Sequence, residues 1–177
     1  MTDLMTDLAR PGADGLGGPA LADAFKAGFR RQPTGVALVV CPTPDGLVGL
    51  TASSVASVSA EPALLSFSVL RSSASGSAIA SASRGAVYLL GEQHAELAAA
   101  FATRGAERFT ADQGWTFPDA ADGLPVLADA TATFRFAHHQ VVPAGQAWLV
   151  LAAVSAVDLG PAEDPLVHHD RHFRRIV

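Results

Sequence analysis

Cysteine is nearly missing from this sequence: Cys41 is the only one in 177 residues. No intrachain disulfide can form, which fits a reducing compartment rather than a cross-linked secreted domain. Cys41 follows the apolar run 36–40 and reads as a core residue; a nucleophilic thiol needs a base partner, and none lies close in sequence. Charge is also sparse, with 16% of residues ionisable as Asp, Glu, Lys or Arg against a usual quarter. The balance is 12 basic against 17 acidic, a net −5, and basic residues do not cluster beyond the Arg30-Arg31 and Arg174-Arg175 pairs. Nucleic acid is therefore a poor candidate partner. No apolar run reaches the ~18–20 residues of a membrane-spanning helix. Residues 1–8 lack the basic start and apolar core of a signal peptide, so a cytoplasmic location is expected. Neither G-x-G-x-x-G after a strand nor a Walker lysine occurs, which removes the common nucleotide fingerprints.

What the chain does have is apolar bulk, 49% hydrophobic residues, enough for one domain with its own core. So few charges on so apolar a chain imply that part of the surface is covered, and a homodimer is expected. Residues 1–19 end in a Gly/Pro-rich stretch and read as a flexible leader, leaving 20–177 as the domain. Within it, 21–31 has helical spacing, with Leu21, Ala24, Phe25 and Phe29 on one face. Apolar runs at 36–40 and 47–50, joined by an Asp-Gly turn, predict a hairpin. Further strands are expected at 64–70, 85–90, 131–138, 147–157 and 167–176, with helices at 75–82 and 92–103. Residues 104–130 read as a long irregular loop, usually functional or packed on a neighbour. Many short strands with few helices argue for a mostly β antiparallel barrel rather than a parallel sheet.

The most informative stretch is 49–62, Gly-Leu-Thr-Ala-Ser-Ser-Val-Ala-Ser-Val-Ser-Ala-Glu-Pro. Small hydroxylated residues leave the backbone approachable, so a flat or anionic ligand can lie against it. An ordinary serine-rich edge strand and turn would have the same composition. Arg71, Ser73 and Ser75 at the start of the 75–82 helix supply a cation, hydroxyls and N–H groups, the donor set a phosphate needs; an N-cap beside a solvated Arg is the plainer reading. His168, His169 and His172 share a face if helical, but no carboxylate or cysteine accompanies them, and no metal is expected.

Four motifs in order resemble the flavin reductase family, the FMN-binding split barrels that serve as reductase components of two-component monooxygenases. Phe29-Arg30-Arg31-Gln32-Pro33-Thr34-Gly35-Val36 is similar to the family's opening "F…ATGV". Residues 49–59 resemble "GMTANSFTSVS", Glu61-Pro62-Ala63-Leu64-Leu65 resembles "DPPLV", and residues 165–175 resemble the terminal "PLLYHRGRYRR". The resemblance implies a six-stranded antiparallel Greek-key split barrel with a few flanking helices. It also implies a homodimer and FMN, or FAD, bound near the subunit interface. NADH or NADPH would be the co-substrate, and a flavin-dependent monooxygenase would receive the reduced flavin. By the same resemblance Thr51, Ala52, Ser53 and Ser54 line the isoalloxazine edge, and Ser57, Val58 and Ser59 continue that wall. Arg71, Ser73 and Ser75 match a "K-x-S-x-T" that holds the flavin phosphate. Phe109, in Glu107-Arg108-Phe109, matches the aromatic of "DRF" beside the flavin, and His169 matches the terminal histidine at the flavin–nicotinamide site. Two departures stand out: Gly145-Gln146-Ala147 replaces a "GDH" linked to nicotinamide binding, and Tyr88 replaces the Asn of "AVNVL". They keep open an FMN-binding flavoprotein without NAD(P)H turnover, a carrier or sensor, and a barrel that has lost its cofactor.

Overall fold

The computed structural model describes residues 18–119, 122–174 and 176; the expected leader lies almost wholly outside them. Helix α1 (Pro19–Phe29) is followed by a short β1 (Thr34–Gly35). The hairpin of β2 (Ala37–Thr43) and β3 (Gly46–Ala52) comes next, then β4 (Ala56–Ala60) and β5 (Ala63–Leu70). Helix α2 (Ala74–Ser81), β6 (Arg84–Leu89) and helix α3 (Ala95–Ala102) complete the first half. The second half holds β7 (Trp115–Thr116), β8 (Val126–Leu127), the long pair β9 (Ala132–Ala144) and β10 (Ala147–Leu159), and finally β11 (Val167–His169) and β12 (His172–Arg174).

Seven strands form one antiparallel sheet in the order β3-β2-β6-β9-β10-β5-β4. Its outermost strands, β3 and β4, are consecutive in sequence and joined by three residues, Ser53-Ser54-Val55. A flat seven-stranded sheet is about 29 Å wide at 4.8 Å per strand, whereas the chain from Ala52 to Ala56 spans at most about 14 Å. The sheet must therefore curl until its two edges meet. The Ser54 hydroxyl pins this seam, accepting from the Ser68 amide of β5 at 3.0 Å and donating to the Ser68 carbonyl at 3.3 Å.

The curl separates two cores. Inside the barrel Val39, Phe67, Val87, Phe136 and Val150 meet, with Ile79 of α2 closing one end. Outside, the other face of β2 and β6 packs Leu38, Val40 and Tyr88 against Leu97 and Phe101 of α3 and against Trp115. Cys41 is fully buried, as expected, and burial pushes its thiol up to about 12.

Several elements differ from the sequence reading. The main sheet has seven strands rather than six, because the serine-rich stretch itself contains the edge strand β4. Residues 104–130 are not wholly irregular: β7 and β8 pair within them. The single strand expected at 167–176 is a hairpin, turning at Asp170 and Arg171, both with positive φ. Among the described residues, no helix is long and apolar enough to cross a membrane.

Candidate functional site

Barrel closure places the hydroxylated stretch at the seam, where it forms one wall of an open cleft of about 840 Å³. Ser53, Ser54, Val55 and Ala56 line one side, with Ser68 of β5 beside them. The opposite wall comes from the end of α1 and from Thr34 and Gly35 of β1, backed by His168 and Asp170. β1 pairs with β11 in register Thr34↔His168, and this register turns His168 toward the cleft. His169, the next residue on the strand, is absent from the lining, as expected where successive side chains alternate sides.

The sequence-predicted residues therefore divide. Ser53 and Ser54 line the cleft. Thr51 does not: its hydroxyl donates to the Ala98 carbonyl at 2.6 Å, tying β3 to α3. Ala52 points into the barrel core. Ser57 and Ser59 lie on β4 over a separate apolar hollow of about 280 Å³, which Leu64, Phe134 and Val157 also line. Val58, between them, is 51% exposed. The wall expected to continue from Ser53 to Ser59 is thus split at Val55 and Ala56, which line both spaces.

A third cavity, of about 340 Å³, opens between β3, the start of α2 and the segment after α3. Ser75, Arg104, Arg108 and Phe109 line it, with Gly49 as part of its floor. Gly49 is needed there, since a Cβ would sit 2.6 Å from the Phe101 ring and 3.0 Å from that of Phe109. Phe109 itself holds φ 61°, an uncommon and costly conformation for a bulky residue. Its ring is wedged edge-on against Phe101, centroids 5.0 Å apart. Arg108 braces this wall, donating to the Gly49 carbonyl at 3.0 Å and the Thr103 carbonyl at 2.8 Å.

The three residues expected to hold a phosphate do not act as one group. Ser75 faces the cavity. Ser73 is the N-cap of α2, its hydroxyl accepting from the Gly76 amide. Arg71 stacks on Trp148, 4.7 Å from the ring centroid, and donates to the Gly145 carbonyl at 3.2 Å. It thereby grips the β9–β10 turn in which Gly145 and Gln146 lie. Ser73→Ala should therefore cost about 1 kcal/mol of stability, the usual value of an N-cap, read as a lower urea midpoint at an unchanged slope. An unaltered midpoint would mean the cap carries no load.

The residues missed by sequence reasoning are His168, Ser68 and Arg104. Ser68 was detectable, because Ser66 and Ser68 alternate with Leu65, Phe67 and Val69 along β5, marking an outward face. Arg104 had no local signal; its role depends on where α3 ends.

Gly49 and Ser53 are four residues apart on one strand and its extension, about 13 Å at strand rise. A cation-rich cavity lies at one end of this span and a hydroxyl-lined cleft at the other.

Comparison with known proteins identifies the family. The flavin reductase-like domain family matches residues 29–177. An NADH:FMN oxidoreductase of Rhodococcus qingshengii is 35% identical over 158 residues, covering 87% of this chain and 81% of that protein. A flavin reductase domain protein from Arthrobacter sp. FB24 superposes with a TM-score of 0.80 at 31% identity, covering 88% of this chain and 96% of the other. The styrene monooxygenase flavin reductase of Pseudomonas putida S12 superposes with a TM-score of 0.74 at 26% identity, covering 86% and 97%. The protein described here belongs to the flavin reductase-like domain family.

Proposed function

We propose that this protein is an NAD(P)H-dependent flavin reductase that reduces FMN and passes it to a flavin-dependent monooxygenase. The observation that carries the reading is the pairing of the seam cleft with the arginine-lined cavity along one strand. The residues present fit a flavin mononucleotide. Ser75, at the second position of α2, adds a hydroxyl to the N–H groups of the helix start, and Arg104 and Arg108 add positive charge, which together suit a phosphate dianion. The cleft falls within the usual 300–1,000 Å³ of small-molecule sites.

A bound flavin supplies the hydride-accepting ring, and the protein's part is placement and electrostatics. Ser54 is fixed by its two bonds to Ser68 and holds the seam backbone rigid against the ring. Ser53, exposed at the cleft, has a hydroxyl free to donate to a ring oxygen where negative charge develops. His168 on the opposite wall would help to position the nicotinamide ring of the donor. Transfer of a hydride asks for no acid–base pair, so the lack of a carboxylate dyad or a catalytic triad is no obstacle.

FMN as the preferred flavin and NADH as the donor follow the name of the Rhodococcus relative. A monooxygenase partner follows that of the styrene monooxygenase reductase. The homodimer belongs to this proposal too. Val157, 47% exposed, lines the apolar hollow beside the edge strand β4, Val58 on that strand is 51% exposed, and a second copy would cover both. With a single buried thiol and no disulfide, a reducing, cytoplasmic setting suits it.

The test is NADH oxidation followed at 340 nm with and without added FMN. Turnover that depends on flavin is expected. Flavin binding without oxidation of either NADH or NADPH would leave a carrier.

A further inference from the structure

Between the outer face of the barrel and the chain leading into β9 lies a recess of about 140 Å³. It shares no lining residue with the seam cleft or with the arginine-lined cavity. Strand register builds its floor. Thr133 of β9 pairs with Tyr88 of β6 on one side and with Asp158 of β10 on the other, so the three side chains form one row on the outer face. Arg135, two residues along β9, faces the recess beside them. Opposite this row, Leu127 and Ala130 are buried and supply apolar wall, while Ala128 is exposed at the rim.

The polar groups of the floor are unequally engaged. The Tyr88 hydroxyl is committed to the Pro125 carbonyl at 2.6 Å. Arg135 is held between Asp122 and Asp158, the latter at 3.7 Å. The Thr133 hydroxyl has no hydrogen-bond partner among the described residues, and the Asp158 side chain is 70% exposed. One guanidinium between two carboxylates leaves the recess with an excess of negative charge, which disfavours an anion. Its volume suits one six-membered ring, since an apolar cavity of about 150 Å³ takes up benzene.

We propose that this recess is a second ligand site, which takes a neutral single-ring hydroxyarene. The ring packs against Leu127 and Tyr88. Its hydroxyl donates to the Asp158 carboxylate and accepts from the Thr133 hydroxyl, so both open polar groups of the floor gain a partner. The same ring without a hydroxyl leaves them unmatched, and a ring bearing a carboxylate meets Asp158 and Asp122 as like charges. The inference does not depend on the reductase reading, because no residue of the proposed flavin site takes part in it.

The test is a titration of the FMN-loaded protein with phenol, toluene and benzoate, followed by ligand-observed NMR. Loading with FMN fills the flavin site, so a ring that binds there instead is displaced. Phenol is expected to bind saturably, with toluene about fivefold weaker or worse, the scale of one neutral hydrogen bond. Thr133→Val removes the hydroxyl at nearly constant shape and should weaken phenol by about the same factor. Ala128→Phe, at an exposed position, places a ring in the mouth and should abolish phenol binding; thermal unfolding confirms that both variants are folded. Absence of saturable phenol binding overturns the inference, as does phenol binding that FMN abolishes. Undiminished binding to Ala128→Phe, equal affinity for toluene, or tighter binding of benzoate overturns it too. If the protein takes up no FMN, the flavin reading fails, while the same titrations and variants on the chain alone still decide the role of the recess.

Discussion

Gly76→Ala is expected to lower stability by about 1–3 kcal/mol, the cost of forcing extra volume into a packed site, and to weaken FMN binding more than riboflavin binding. Gly76 is buried in the first turn of α2. A Cβ there would overlap the Leu70 carbonyl oxygen, and because this is backbone of β5, no side chain can swing away to make room. The helix must lift off the strand. Two functional elements move with it: Ser73, whose hydroxyl caps the Gly76 amide, and Ser75, which faces the arginine-lined cavity. Riboflavin has the ring but no phosphate, so it isolates the contribution of this end of the site. Urea unfolding and flavin fluorescence titration measure the two effects. A variant that loses stability yet binds FMN and riboflavin with unchanged preference would detach α2 from phosphate binding.

The second large effect concerns Tyr88, the residue that departs from the family's Asn. It is buried on the outer face of β6. Its hydroxyl donates to the Pro125 carbonyl at 2.6 Å, and its ring meets Trp115 edge-on, centroids 5.2 Å apart. Burial pushes the phenol well above its ordinary range, so it stays protonated and remains a donor at any physiological pH. Tyr88 thus clamps the segment between α3 and β9 onto the barrel. That segment also carries Arg104, Arg108 and Phe109. Tyr88→Phe leaves the Pro125 carbonyl without this donor and should cost about 1–3 kcal/mol. Tyr88→Ala adds a cavity and should cost about 3–5 kcal/mol, with a parallel loss of FMN affinity as Trp115 and Phe109 shift. Thermal unfolding with and without FMN separates the two losses. An alanine variant as stable as the parent would show that Tyr88 is not the clamp.

Much of this was legible in the sequence, and the exceptions have physical causes. The β2–β3 hairpin was readable because two apolar runs flank an Asp-Gly turn; α2 was readable as a helix at 75–82, although not which serine caps it. The importance of residues 49–62 was visible in their hydroxyl content, but not which of them share a space. That depends on barrel closure: Ser53 and Ser54 lie at the seam, while Ser57 and Ser59 pass onto the edge strand and look into another hollow. Strand β4 was legible only as the plainer alternative, a serine-rich edge strand, because it is exposed almost throughout and its Ala-Ser-Val-Ser-Ala alternation marks no buried face. The terminal histidines illustrate register. Motif similarity selects the segment, whereas the pairing of Thr34 with His168 decides which imidazole meets the cleft, and a one-residue difference reverses the answer. Arg71 reads as a phosphate ligand from its position before a helix, yet Trp148 and Gly145, more than seventy residues away, engage its guanidinium.

The most direct test is a crystal structure of the protein soaked with FMN. The isoalloxazine ring should lie against the backbone of residues 53–56 with its phosphate beside Ser75 and Arg104. A flavin bound in the hollow beneath Ser57 and Ser59, or a phosphate far from both Ser75 and Arg104, would contradict the arrangement derived from the barrel seam.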